Sequence, residues 1–433
     1  MRTARQRLKR LFTKPALRQG SLVLFDQGFL SLATFATGAL LARATDKGQY
    51  SAYVLALSLI LLLQGIHRAL VSAPFTIYAP HLSERDRNIY QGSAFGHTLL
   101  LCALITAAMI PLAAIGGNSI PGATSSGLAA LFPLLAVVTS SQLVRDFIRN
   151  ALLARLHISA GVIASVLGTT AQLTLITWFF VTGRLTVANA LLATAVTAVL
   201  AAGYMLWRNR GLMDMVSTRI WMDFLRSLRT GKWVLIDVFA YMAASQAYPW
   251  LLLYLLDPHS VAIFGVCSSF AGLTGPFLRG ANAYIHPRMV HGYKDANVNG
   301  LARLTGLSVV AVSIPYVAWL LIGSVFANEL LGLIYGTAYS GYAVLTILLL
   351  IRAAIEGTSS PLSAALQTLE RADVVTVSLV LGACITLGLG WFLISNMGLA
   401  GAGLAAAVSS LATALWRWIM LRSILRRDAR APA

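Results

Sequence analysis

The sequence predicts an all-α polytopic membrane protein with twelve transmembrane helices in two six-helix lobes, each lobe a parallel repeat of the other. Three observations carry that prediction. Of 433 residues 58% are hydrophobic and 11% charged, with a mean hydropathy of +0.74, whereas a soluble domain is about half apolar and about a quarter charged. Lysine and arginine concentrate in every second connection between apolar runs. Finally, Arg18, Gly20, Val23, Leu24 and Asp26 recur as Arg229, Gly231, Val234, Leu235 and Asp237, each 211 residues later. A period near half the chain marks two copies of one unit.

Apolar runs of this length are spanning helices, because lipid leaves a backbone only its own hydrogen bonds. The first, 20–42, follows a basic segment holding Arg2, Arg5, Arg7, Lys9, Arg10, Lys14 and Arg18. It ends at Arg43 with no small-residue cleavage pattern, so it spans and stays. The second covers 49–71. The third, 93–116, contains Pro111, and the fourth, 125–147, has Arg145 and Arg149 at its end. The fifth and sixth cover 158–182 and 186–207. Residues 208–230 are the only long polar connector, in which Arg219, Trp221, Met222, Phe224 and Leu225 suggest an interfacial amphipathic helix. The seventh, 232–256, restarts the series, and 259–284, 303–326, 338–362, 374–395 and 397–420 complete it. Pro111 and Pro315 both fall in the third helix of a lobe, where proline tends to kink a helix.

Later segments repeat as well. Val166-Leu167-Gly168 returns as Val380-Leu381-Gly382, and Trp178-Phe179 as Trp391-Phe392, at offsets between 211 and 214. Six spans per copy is even, so both copies share one orientation, related by a pseudo-twofold axis along the membrane normal. The chain divides into an N-terminal lobe, 1–207, a cytoplasmic linker, 208–230, and a C-terminal lobe, 231–433. Loops after even-numbered spans carry Arg85, Arg87, Arg155, Arg288 and Arg371 among others, whereas loops after odd ones hold only Arg43, Lys47 and Arg184. Positive charge stays inside, which makes both termini cytoplasmic. The same placement assigns the net charge of +18 to membrane topology and excludes nucleic acid as its partner.

Asp26, Arg68, Asp237, Arg279, Arg352 and Glu356 interrupt apolar runs. A mid-membrane charge costs at least about 2.5–3.5 kcal/mol, so each requires a partner or a cavity. Asp26 is expected to pair with Arg68, and Asp237 with Arg279. One reading makes these structural ion pairs; the other makes them a cationic cavity wall whose carboxylates tune or couple it. Arg352 and Glu356 lie one helical turn apart and suit pairing with each other. Arg145 and Arg149 share a face, suited to snorkelling or to ligand contact. His67, His97 and His286 read as hydrogen-bonded residues near span ends, and Tyr50, Tyr53, Trp250, Tyr254, Trp391 and Trp416 as aromatic belts. Cys102, Cys267 and Cys384 lie in spans, odd in number and widely spaced, which argues against a disulfide framework or a metal site. No catalytic or nucleotide-binding constellation is present, so no enzyme is expected.

Residues 18–80 resemble the opening of the bacterial polysaccharide flippases in the multidrug/oligosaccharidyl-lipid/polysaccharide exporter superfamily, through Leu40-Leu41-Ala42-Arg43, Gly48-Gln49-Tyr50 and the run to Pro74. Pro276 to Gly280 with His286-Pro287-Arg288, then Leu330 to Tyr339, then Leu399 to Ala405, are similar to later segments of that family. The resemblance implies two lobes forming an inverted V, alternating access, and residence in the bacterial inner membrane. It implies translocation of undecaprenyl-pyrophosphate-linked oligosaccharide repeat units for surface polysaccharide (exopolysaccharide or O-antigen) biosynthesis. Arg68 and Arg279, with Arg145, Arg149 and Arg352, would be the cavity cations, since a guanidinium grips phosphate in two places. No cofactor is implied beyond coupling to a proton or sodium gradient, for which Asp26, Asp237 and Glu356 are the carboxylates. Partners would be the lipid-linked oligosaccharide, membrane lipids, and polysaccharide polymerase and export machinery. The alternatives are a cation-coupled multidrug exporter of the same superfamily, with a more apolar and aromatic cavity, and a non-transporting scaffold of a polysaccharide assembly complex.

Overall fold

The computed structural model describes residues 14–119, 127–155, 158–208 and 217–428. The basic segment before Lys14, most of the loop at 117–124, part of the connector and the last five residues lie outside that set. Among the described residues there are helices and no strands. The N-terminal lobe contains α1 (Lys14–Ala44), α2 (Lys47–His81), α3 (Glu84–Ser119), α4 (Leu128–Ala154), α5 (Ile158–Val181) and α6 (Val187–Arg208). The C-terminal lobe contains α7 (Ser217–Leu255), α8 (Pro258–Ala271), α9 (Gly275–Val325), α10 (Ala327–Tyr335), α11 (Ala343–Thr368) and α12 (Ala372–Asp428).

Among the described residues nine stretches are long and apolar enough to cross a membrane, by length and composition alone. One of them, Ala372–Arg427, has 56 residues, about twice what a bilayer of ~30 Å requires. It divides at Gly398, whose φ of 59° and ψ of −134° lie outside the helical region. Counting its two halves separately, and adding α1 and α7 (the opening helices that carry Asp26 and Asp237), gives the twelve spans. Pro111 and Pro315 sit inside α3 and α9, and neither interrupts its helix.

The repeat is physical. α1 packs on α5 as α7 packs on the first half of α12; α3 packs on α4 as α9 does on α11; α4 packs on α6 as α11 does on the second half of α12. Gly168 admits Ala201 and Thr197, and Gly382 admits Thr413 and Ser409, the same small-residue contact in each lobe. The second helix of each lobe begins with an aspartate N-cap, Asp46 accepting from the Gln49 amide at 2.9 Å and Asp257 from that of Ser260 at 3.0 Å. Val54 of α2 presses on Gly265 of α8, its own repeat mate, so the axis passes between those helices.

The core locates the opening. Where α1 ends, one apolar cluster joins both lobes, with Leu41, Tyr50, Leu135, Tyr248, Phe264 and Tyr335 within it. Toward the termini the lobes hold separate cores, one around Phe75 and Phe147 and the other around Met289 and Tyr316. The apolar cores are joined at one end and separate at the other, where α7 still touches α2 and α3.

Candidate functional site

Among the described residues, cavities lie between the lobes. One of about 380 Å³ is walled by α1, α2, α7, α8 and α11, and a second of about 620 Å³ by α1, α8 and α9 with Leu61 of α2. Thr34, Leu61, Ser269 and Gly272 border both, so they are two parts of one cleft. Volumes in this range suit small-molecule sites.

Arg352 and Glu356 line the first part. Their predicted pairing is present: Arg352 Nε donates to Glu356 Oε1 at 2.9 Å, and Ser410 Oγ of α12 donates to the same oxygen at 3.0 Å. The Tyr248 ring lies 5.9 Å from the guanidinium. Arg279 lines the second part, where it donates to Ser31 Oγ of α1. Arg279, Arg352 and Glu356 are therefore the sequence-predicted residues that the cleft brings together.

The remaining charges take other places. Asp26 does not pair with Arg68; it is fully buried and bound by Arg149 of α4. Asp237 does not pair with Arg279 and accepts a bond from Thr376 at 2.6 Å. Both predicted pairs fail for one reason. They joined successive predicted spans, 20–42 with 49–71 and 232–256 with 259–284, whereas α1 and α7 pack chiefly on α5 and α12. Arg145 pairs with its neighbour Asp146 at 2.8 Å. Arg68 opens a π-helical turn, Arg68–Ser72, and is exposed with no ion pair among the described residues. Gln64 donates to Gln142 at 2.7 Å, a further polar link between α2 and α4.

The three histidines singled out near span ends are hydrogen-bonded as expected: His67 to Thr98 at 3.0 Å, His97 to the Ile220 carbonyl at 2.8 Å and His286 to Gln367 at 2.8 Å. The aromatic residues divide. Tyr254 and Trp391 pack together, partly exposed, as belt residues do. Tyr50 and Tyr53 are instead buried in the cleft wall. Trp250 donates across the lobes to Ser58 Oγ at 2.8 Å, and Trp416 packs against the C-terminal core. Sequence reasoning also missed Tyr241, Ser245, Gln246 and Ser268 as lining, because an isolated hydroxyl or amide in a span carries no charge to draw notice.

At its joined end the cleft is closed by contacts between two stretches noted in the sequence, around Arg43 and from Leu330 to Tyr339. Arg43 donates to the carbonyls of Leu333 and, through Nε at 2.8 Å, Ile334. Those carbonyls belong to the last turn of α10, which has no helical donors left for them. Lys47 lies 5.6 and 5.4 Å from the ring centres of Tyr339 and Tyr342, and Tyr50 meets Tyr339 edge to face.

Solved structures share this fold. A multidrug resistance MATE family transporter of the MOP superfamily, described as inward-facing, superposes with a TM-score of 0.76 at 16% identity, over 93% of this chain and 96% of that one. The outward-facing form of such a transporter gives 0.66 at 16% identity, over 96% of each chain. A MOP superfamily transporter from Pyrococcus furiosus, described as having a binding pocket of reversed polarity, gives 0.67 at 15% identity, again over 96% of each. No family model and no curated protein matches the sequence.

Proposed function

We propose that this chain is an alternating-access transporter whose solute passes through the interlobe cleft, and that the solute is an amphipathic anion. On the charge of the cleft we read that solute as an undecaprenyl-pyrophosphate-linked oligosaccharide, moved from the cytoplasmic to the periplasmic leaflet of the inner membrane while its lipid tail stays in the bilayer. One observation carries it. Glu356 balances Arg352, whereas among the described residues Arg279 meets the neutral Ser31 and no carboxylate, so the described cleft keeps Arg279 uncompensated. A guanidinium left unpaired in a solute path favours a phosphoryl ligand, which it can hold by two hydrogen bonds.

The second reading is cation-coupled multidrug export. It is favoured by what the neighbours in fold are described as carrying and by the aromatic lining of Tyr50, Tyr53, Tyr241 and Phe264. In either case Glu356 is the carboxylate best placed for coupling to a proton or sodium gradient, since it is half exposed in the cleft while Asp26 is locked to Arg149.

The test is transport by Arg279→Ala, Arg279→Lys and wild type in proteoliposomes, with a fluorescent polyprenyl-pyrophosphate sugar and separately with ethidium. The lipid-linked reading expects the alanine variant to lose flipping and the lysine variant to keep part of it. Ethidium export by a wild type that leaves the polyprenyl substrate unmoved would end that reading in favour of drug export.

A further inference from the structure

The first fourteen residues of α7, 217–230, do not project away from the bundle. Ile220 accepts from His97 and Phe224 packs on the His97 ring at 5.4 Å, at the depth where α3 enters its apolar stretch. Gly231 lies against the Ala69 carbonyl, where α2 leaves its own. These contacts hold the segment against α2 and α3, where α2 leaves its apolar run and α3 enters its own.

Its inward face is pinned to the N-terminal lobe. Arg219 pairs with Asp86 at 2.8 Å, Ser227 bonds Tyr90 at 2.9 Å, Thr230 bonds Tyr78 at 2.6 Å, and Arg226 stacks on Tyr78 at 4.4 Å. The other face is apolar and basic. Trp221 and Trp233 are 66% and 64% exposed, Met222 and Leu225 lie beside them, and Arg229 and Lys232 make no ion pair among the described residues. Exposed tryptophan beside unpaired cations suits one cover, a layer of anionic headgroups over acyl chains.

We propose that this face binds anionic phospholipid, with the phosphates on Arg229 and Lys232 and the acyl chains against Trp221, Met222 and Trp233. The docked face belongs to the N-terminal lobe and the rest of α7 to the C-terminal one, so bound lipid holds the joint between them. Each basic residue near a charged membrane contributes about 1 kcal/mol, or roughly fivefold in lipid preference.

The test reconstitutes the full chain in phosphatidylcholine vesicles with or without phosphatidylglycerol, using brominated acyl chains on one lipid at a time. Quenching that disappears in Trp221→Phe reports on this face. Brominated phosphatidylglycerol is expected to quench that signal more than the phosphatidylcholine analogue at equal mole fraction. Arg229→Ala/Lys232→Ala should weaken the preference roughly thirtyfold, and Arg229→Lys/Lys232→Arg should retain it, which separates charge from misfolding. Equal quenching by both lipids overturns the proposal, as does quenching by neither, which would mean that water or a second copy covers the face.

Discussion

Asp26 and Arg149 form an ion pair at the foot of the N-terminal lobe, with 0% and 13% of their side chains exposed. The bond joins Arg149 Nη2 to Asp26 Oδ2, while Asp26 Oδ1 and Arg149 Nε have no hydrogen-bond partner among the described residues, so each group depends on the other. Removing one charge leaves its mate buried alone, which typically costs about 3–5 kcal/mol, whereas an apolar pair of similar volume is often neutral. Arg149→Met should therefore unfold at markedly lower temperature in detergent, and Asp26→Leu/Arg149→Met should recover much of the loss. If the double variant is as unstable as the single one, the two residues do not act as a pair. At this scale the sequence showed that Asp26 needed a partner, because a carboxylate in an apolar run is conspicuous. It did not show which partner, because α1 meets α4 only once the bundle has closed. Arg352 and Glu356 were legible, since one helix brings them together without tertiary structure. Tyr50 and Tyr53 were misread as belt residues because their position near a span end is common to belt and cleft.

Helix lengths and starts follow from local chemistry, and most were legible as apolar runs between charged turns. The two aspartate caps add a signature that hydropathy does not register, Asp46 and Asp257 opening equivalent helices 211 residues apart. Two features lay beyond the pattern of apolar residues. The π-helical turn from Arg68 inserts a wider turn in α2, and nothing in Arg-Ala-Leu-Val-Ser signals it. The division within α12 rests on a single glycine. At φ 59° and ψ −134° Gly398 occupies a region essentially closed to residues with a Cβ. Gly398→Ala should cost about 1–3 kcal/mol. Gly388→Ala, in the helix of the same span with open space around its Cβ, should be neutral or stabilise by up to about 1 kcal/mol. Melting temperatures of the two variants in detergent check this. Equal shifts would mean that the chain can turn at 398 without glycine.

For the whole molecule, duplication was the most legible property, because repeated residues survive at fixed offsets even where folding scatters their contacts. Which end of the cleft is open was not legible, since closure depends on which halves of the helices share a core. Here the shared core lies at the end of α1, with Arg43 and Lys47 of one lobe holding Leu333, Ile334, Tyr339 and Tyr342 of the other. The proposed alternating access requires those contacts to break while the separate cores near the termini come together. The Arg43 bonds are partly solvent-exposed, so their net worth is about 1–2 kcal/mol. Losing them should shift the balance of the two states roughly 5- to 30-fold toward opening at that end. Gln246→Cys, placed in the cleft wall after replacement of Cys102, Cys267 and Cys384, gives a reporter. In vesicles of known orientation, Arg43→Ala should raise its labelling by an impermeant maleimide from the side opposite the termini and lower it from the side of the termini. A rise on both sides would indicate general loosening, and no change would remove the Arg43 contact from the closure of the cleft.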